Sequence, residues 1–384
     1  MKIGIDARIL GEPGGIGAYI ENLVCNMAKI HPQDEFVLFL KPKEFGNKNF
    51  DISNIKKVLA DVSIYSFAEQ CRLKKIFEKE NLDLLHVPHW NAPVFYNGKM
   101  VMTVHDLVPL NFVSTKRIKL SQWLRKKYFY LALKILGRKA RKIIAISNFT
   151  RDDLINRLKI NPEKIEVVYS GAVNQKSYEE AAKISKEDVR QMVEKEFNIS
   201  GPYFFASGIW RTHKNLEGLI NAFKKMLKST SDGENFMGAG VKLLIGGIAD
   251  KNFPDVLNLF QKYKNDQDII FLGILNAEKQ ALLMRGALVN ILPSFLEGFG
   301  FFYPEALFAG GDLISSKNVG AKELSGGSVE FFSPENTDEL VQKMIDKIKN
   351  PQSLCRQFVL KGNISWQDTA EKAHKIYQRL IDKN

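Results

Sequence analysis

Two glutamates, Glu297 and Glu305, stand eight positions apart around a glycine-aromatic run, Gly298-Phe299-Gly300-Phe301-Phe302. The apolar stretch LVNIL, 288–292, precedes them, and Pro293-Ser294 ends it. Glycines let backbone N–H groups come close to a ligand. Two carboxylates flanking such a loop can accept hydrogen bonds from neighbouring hydroxyls, and sugars and riboses are ligands that offer those. The plainer alternative is one capping acid and one solvated acid. Three other stretches could also do chemistry. GEPGGIGAYIENLV, 11–24, places Gly14, Gly15, Ile16 and Gly17 before a helix expected over 17–30. Backbone amides and the helix dipole there suit an anion such as a diphosphate. The G-G-x-G pattern departs from the dinucleotide fingerprint, and a loop needing positive φ is the ordinary alternative. TVHDLVPL, 103–110, brings a strand to its end on His105 and Asp106. SGIWRTHKNL, 207–216, offers Arg211, His213 and Lys214 to phosphate oxygens, or is a basic turn capped by Asn215. His86 and His89 stand at a further strand end, but their spacing fits no standard zinc pattern, so no metal is expected.

The elements that must position these residues alternate along the chain. KIGIDARI, EFVLFL, DLLHVP (83–88), KMVMTVHD (99–106), KIIAIS (142–147) and IEVVYSG (165–171) read as strands, with helix-like stretches between several of them. Ser147 or Asn148 is placed to cap the helix FTRDDLINRL. Residues 174–200 are charged and lack a strand, and read as a helix-containing connector. The alternation then restarts with YFFASG, VKLLIGG, DIIFLG, LVNILPS, DLISS and VEFFS as strands, and with helices over 215–227, over 278–287 and from about Pro304. Alternating strands and helices imply an α/β chain with parallel sheets. Ligands of such sheets bind at the carboxyl ends of strands, which is where all four stretches lie. With two such halves, the natural site is a cleft between them. SDGENFMGAG, 231–240, reads as a polar surface loop.

The bulk composition agrees. A chain of 384 residues exceeds what one core usually supports, so two domains are expected. Cys25, Cys71 and Cys355 form no C-x-x-C pair and read as reduced thiols of a cytoplasmic protein. The opening MKIGIDARIL carries Asp6 and Arg8 and reads as a strand, not a targeting segment. The net charge of +12 favours an anionic partner. Residues 116–142 hold eleven Lys or Arg and no acid, interleaved with Trp123, Leu124, Tyr128, Leu131 and Ile135. That is a basic amphipathic helix for the inner face of an anionic membrane, or else a core-facing helix with a solvated basic face. No nucleic-acid module is present, so nucleic acid is not the expected partner.

Taken together, these residues resemble the retaining GT-B glycosyltransferases of family 4. The E-x(7)-E pattern Pro293-Ser294, Glu297-Gly298-Phe299-Gly300, Glu305-Ala306 is similar to that family's signature. DARIL with GGIGAY resembles its opening, and YSFAEQ, HVPHWNAP, TVHDLVPL and IIAISNFTRDDL resemble a mannosyltransferase-like branch. The resemblance implies two Rossmann-like domains facing each other across a cleft. Residues 1–173 would form the acceptor-side domain, 174–200 a connector, and 201–364 the nucleotide-sugar-binding domain. A last helix, 365–384, would return to the first domain. It further implies that Glu297 contacts the transferred sugar and Glu305 the ribose. Lys214 would hold the diphosphate, helped by Arg211, and the turn of Gly15, Ile16 and Gly17 would close on it. The Gly298–Phe302 loop would present its amides to the donor, and His105 would touch the reacting sugar. No cofactor or metal is implied. The triplet Asp266-Gln267-Asp268 is incidental in this family. The donor would be a nucleotide diphosphate sugar, GDP-mannose first and a UDP-sugar second. The acceptor would be a cell-surface glycan or a lipid-linked oligosaccharide. The chain departs from the family where Ile209 follows Gly208, where Phe301-Phe302 replace Leu-Pro, and at Gly310-Gly311-Asp312-Leu313. These departures bear on donor choice and keep two alternatives open: a GT-B nucleotide-sugar epimerase, or a catalytically silent glycan-binding relative.

Overall fold

The computed structural model describes the chain except residues 13, 65, 67, 112–119, 173, 232–239, 326–328, 351–363 and 383–384, and it describes no side chain within 111–125. The side chains of Lys116, Arg117, Lys119, Trp123 and Leu124, most of the 231–240 loop and Cys355 therefore lie outside the described residues. The chain forms two compact units. The first comprises Met1–Asn111, Lys119–Val173 and Asn363–Asn384, and the second is centred on Asn174–Gly362.

The first unit holds a seven-stranded sheet in the order β3-β2-β1-β4-β5-β6-β7. Its strands are β1 (Lys2–Asp6), β2 (Glu35–Leu40), β3 (Ile55–Leu59), β4 (Leu84–Val87), β5 (Met100–Val104), β6 (Lys142–Ala145) and β7 (Ile165–Val167). Every pairing is parallel; Ile3 faces Phe36 on one side and Leu84 on the other. Parallel strands are covered on both faces and so read as unbroken apolar runs, as β2 and β5 do. Edge strand β3 alternates differently: Lys56 and Lys57 interrupt its apolar pattern, which hid it in the sequence. Lysines on an edge also discourage pairing with another chain.

The first helix, Gly15–Ile30, starts two residues earlier than expected. Gly14 precedes it at φ 138°, a conformation that suits glycine, so Gly15, Ile16 and Gly17 form its first turn and not a loop. Ser147 caps the Asn148–Leu158 helix by accepting from the Thr150 amide at 3.0 Å. The closing helix, Trp366–Asp382, packs along Gly15–Ile30. Where these two helices meet at the amino ends of the strands, the rings of His31 and His374 stack in parallel with centroids 3.4 Å apart, and His374 Nε2 meets Asp34 Oδ2 at 2.6 Å.

The second unit holds a six-stranded sheet, β10-β9-β8-β11-β12-β13, again parallel throughout. Its strands are β8 (Tyr203–Trp210), β9 (Lys242–Ala249), β10 (Ile269–Gly273), β11 (Val289–Leu292), β12 (Leu313–Ser316) and β13 (Glu330–Phe332). Residues 174–200 carry two helices, Gln175–Ala182 and Lys186–Phe197, both packed against Ala277–Gly286. In this unit the helices Pro254–Tyr263 and Thr337–Lys349 went unread in the sequence. The strand order reverses between β8 and β11, and open parallel sheets bind ligands at the carboxyl edge beside such a reversal.

Candidate active site

Lys214 ends the loop after β8, and Glu297 lies in the loop after β11, so both stand at that reversal of strand order. Their fixed positions arise from local chemistry. Asn215 adopts the left-handed conformation at φ 55°. Its side-chain amide donates to the carbonyls of Pro293 and Pro334, both at 3.1 Å, while its oxygen caps the next helix at the Gly218 amide. The Phe295 amide donates to the His213 carbonyl at 2.8 Å. Together these bonds join the two loops, and Lys214 forms a short ion pair with Glu297. Ser294 Oγ also donates to Glu297 Oε1, at 2.8 Å. Burial alone would raise the Glu297 carboxyl pKa, but the Lys214 ammonium and the Ser294 hydroxyl outweigh it and hold the group below its usual value. Glu297 is therefore ionised at neutral pH. The Lys214 ammonium has three donors, and this pair uses one of them.

The glycine-aromatic run comes next in the chain. Gly300 sits at φ 82°, letting the chain turn into a helix that begins at Phe302, not at Pro304. The first amides of a helix have no partner within it and face outward. Phe299 and Phe302 are buried, and Phe302 lies against Phe205 with ring centroids 6.0 Å apart. Glu305 stands in the first turn, as expected, and is 7% exposed. Its carboxyl accepts from Gln280 Nε2 at 3.1 Å, and burial pushes its pKa up to about 7. The two glutamates of the motif thus have opposite tendencies, one held ionised and one on the edge of protonation.

The other basic residues of the 207–216 loop are differently engaged. Arg211 Nε donates to Asp250 at 2.8 Å. His213 is buried, and desolvation together with Lys214 brings its pKa down to about 4, so it is neutral. Asp266 and Asp268 of the acidic triplet pair with Lys224 and Lys242.

In the first unit, His105 lies just past β5 and is 7% exposed. Its Nε2 donates to the Pro88 carbonyl at 2.9 Å, and the Tyr19 ring meets it edge-on with centroids 4.8 Å apart. Desolvation brings its pKa down to about 4, so a neutral imidazole is held in one orientation. Asp106 accepts from the Val108 amide at 2.9 Å, which is a capping role. His86 is fully buried within β4, bonded to Thr103 and to Tyr377 of the closing helix at 2.8 and 2.6 Å. Beneath these histidines lies a buried network that the sequence did not reveal. Arg8 is enclosed by Asp6 and Glu69, with contacts of 2.7 and 2.6 Å, and Asn91 donates to both Glu69 oxygens at 2.7 Å. Ser294, by contrast, is a further partner of the site that stands three residues before Glu297, in the same loop.

The sequence matches two family models one after the other along the chain: Glycosyltransferase Family 4 over residues 13–173 and Glycosyl transferases group 1 over residues 189–363. The chain is a GT-B glycosyltransferase of family 4. Among the relatives of this enzyme is the O-antigen chain mannosyltransferase RfbU of Salmonella typhimurium, 24% identical over 79% of this chain and 76% of the relative. Sucrose-phosphate synthase of Thermosynechococcus elongatus shares the fold over 100% of both chains, with a TM-score of 0.75 and 16% identity. HepE of Anabaena, solved in complex with UDP, aligns over 100% of this chain and 98% of its own, with a TM-score of 0.67 and 18% identity. The GT-B architecture expected from the sequence is thus the fold of this glycosyltransferase.

Proposed function

We propose that this glycosyltransferase moves a hexose, with retention of anomeric configuration and without a metal, from a nucleotide diphosphate sugar to a glycan or lipid-linked acceptor. The observation that carries the reading is the Lys214–Glu297–Ser294 cluster where the strand order reverses between β8 and β11, with Glu305 in the helix that follows. Breaking a sugar–phosphate bond builds negative charge on the leaving diphosphate, and a preorganised cation stabilises it. Lys214, anchored by Glu297, has donors left for diphosphate oxygens. Glu297 has lone pairs left for sugar hydroxyls. Glu305 accepts from the ribose hydroxyls, and the Gly298–Phe302 loop presents amides to the donor. His105 and the turn of Gly15, Ile16 and Gly17 are assigned to the reacting sugar and the diphosphate on the family resemblance. The acceptor oxygen forms its bond to the anomeric carbon on the face from which the diphosphate leaves, and the leaving phosphate takes the acceptor's proton.

Mannose from GDP-mannose is our first choice, because RfbU is a mannosyltransferase. A UDP-sugar is the second, because HepE holds UDP. A membrane-side acceptor is favoured by the helix Leu120–Lys139, where exposed Tyr128, Leu131 and Ile135 share a stripe with exposed Lys127 and Arg138. No described helix is long and apolar enough to cross a membrane.

The test is thermal stabilisation by GDP, UDP and ADP and by the matching hexose donors. A ligand that binds only the folded state raises the melting temperature by mass action. One diphosphate should raise it, and its hexose derivative should raise it further. No shift with any of them overturns the reading.

A further inference from the structure

Tyr178 belongs to the helix Gln175–Ala182, the first of the second unit, in a charged stretch that carries no recognisable motif. It is only 2% exposed, although Lys176, Glu179 and Glu180 of the same helix are exposed. The helix packs against Ala277–Gly286 and Phe302–Phe308, and this brings the Tyr178 hydroxyl to Glu305. Gln280 lies between the two. Its Nε2 donates to the Tyr178 hydroxyl at 2.9 Å and to Glu305 Oε2 at 3.1 Å. Its Oε1 accepts from Ser207 Oγ at 3.0 Å, which fixes the amide the right way round.

We propose that Tyr178 is a positioning residue of the donor site: with Gln280, which is bonded to both, it holds the Glu305 carboxylate in place for the ribose hydroxyls of the nucleotide. This rests on the reading of Glu305 as the ribose acceptor. The chemistry is directional. The Tyr178 hydroxyl accepts from Gln280 and has its own proton to give. Burial raises its pKa far above the physiological range, so it remains a donor. A carboxylate has about four acceptor positions, and two protein donors leave the others for two ribose hydroxyls. The carboxyl needs this help because desolvation works against its charge. Its pKa stands at about 7 even with the Tyr178 and Gln280 hydrogen bonds and the nearby Lys214 all favouring the charged form. A protonated Glu305 would spend its proton as a donor and lose acceptor capacity. The motif's second acid is therefore completed by residues far from it in sequence.

The experiment measures the dissociation constants of a nucleoside diphosphate and its 2′-deoxy counterpart across pH 6 to 9, for the native protein and for Tyr178→Phe. The bases tried are uracil and guanine. The native protein should prefer the ribose form and bind it more tightly as pH rises through about 7, because Glu305 ionises there. Tyr178→Phe keeps the ring and loses the donor. It should weaken binding of the ribose form roughly tenfold near pH 6.5, the scale of one hydrogen bond to a charged group. Its pH profile should move upward, and its preference for ribose should shrink. General damage to the fold would weaken both nucleotides alike. If the native protein prefers ribose and Tyr178→Phe keeps that preference and pH profile, the role of Tyr178 is refuted while the donor-site reading stands. If the native protein shows no ribose preference, the assignment of Glu305 falls and Tyr178 with it. Should Tyr178→Phe not fold, Gln280→Leu removes the amide bonded to both Tyr178 and Glu305 and must likewise shrink the ribose preference.

Discussion

At the strand ends of the first unit, Arg8 is fully buried between Asp6 and Glu69, and His86, His89 and His105 are all neutral. At the strand ends of the second unit, Lys214 and Glu297 keep 23% and 11% of their side chains exposed, and Glu305 titrates near neutrality. Both regions are rich in polar groups and both stand where open parallel sheets bind ligands. The first spends its charges internally. Burial would raise the Asp6 carboxyl pKa, but Arg8 outweighs it and keeps the group ionised, and Glu69 and Asn91 complete the set. Its histidines, His105 among them, are buried and neutral. The second unit leaves donors and lone pairs unspent.

The sharpest way to break this contrast is to open the closed network. Arg8→Met leaves two carboxylates buried beside each other. Removing one partner of a buried ion pair costs about 3–5 kcal/mol, mostly because the remaining charge has no water. Urea denaturation should show that loss. Adding Asp6→Asn and Glu69→Gln should restore much of it, since no unpaired charge then remains. A loss for Arg8→Met of the size expected at the surface, under about 1 kcal/mol, would mean that this network is solvated and the contrast false.

The two regions also differ in how far the sequence revealed them. The second unit's cluster was legible because its members lie in short loops after apolar strands: Lys214 just past β8, Glu297 just past β11. Strand-end position is a local signal, and the E-x(7)-E spacing added to it. Tyr178 and Gln280 were not legible, because only helix packing carries them to Glu305. Arg8, Glu69 and Asn91 hid for the same reason, each lying in a different segment. In the fold, strand β3 was masked by Lys56 and Lys57, which serve an edge and not a core. The first-turn placement of Gly15 and Gly17 was misjudged because helix starts are usually marked by Ser, Thr, Asp or Asn, and here a glycine at φ 138° does that work.

A second comparison lies inside the 207–216 loop and sharpens the first. Lys214→Met should lower kcat about a hundredfold, the scale of losing one preorganised group at a developing negative charge. Arg211 is already joined to Asp250, so Arg211→Gln should lower it less than about tenfold, within what an exposed pair contributes. Steady-state kinetics with a saturating donor separates them. Equal losses would mean that Arg211 leaves Asp250 to hold the diphosphate, and that the donor's cation is shared.

The first unit does leave some charge open, but on an outer face. Along Leu120–Lys139, Phe129, Ala132, Leu133 and Leu136 are buried, while Lys126, Lys127, Tyr128, Leu131, Ile135 and Arg138 face solvent. A basic stripe beside an apolar one is what binds an anionic bilayer by attraction and shallow insertion together. Each basic residue near such a surface contributes about 1 kcal/mol, so Lys126→Gln, Lys127→Gln and Arg138→Gln should each weaken binding to phosphatidylserine vesicles about fivefold. That loss should fade at high salt, because exposed charges are screened. Leu131→Ser with Ile135→Ser should weaken binding in a way salt does not hide, since insertion is apolar. Co-sedimentation at two salt concentrations reads both effects. Vesicle binding that ignores all five substitutions would make this face a solvated helix surface, and the enzyme's acceptor would then have to be delivered by diffusion from solution.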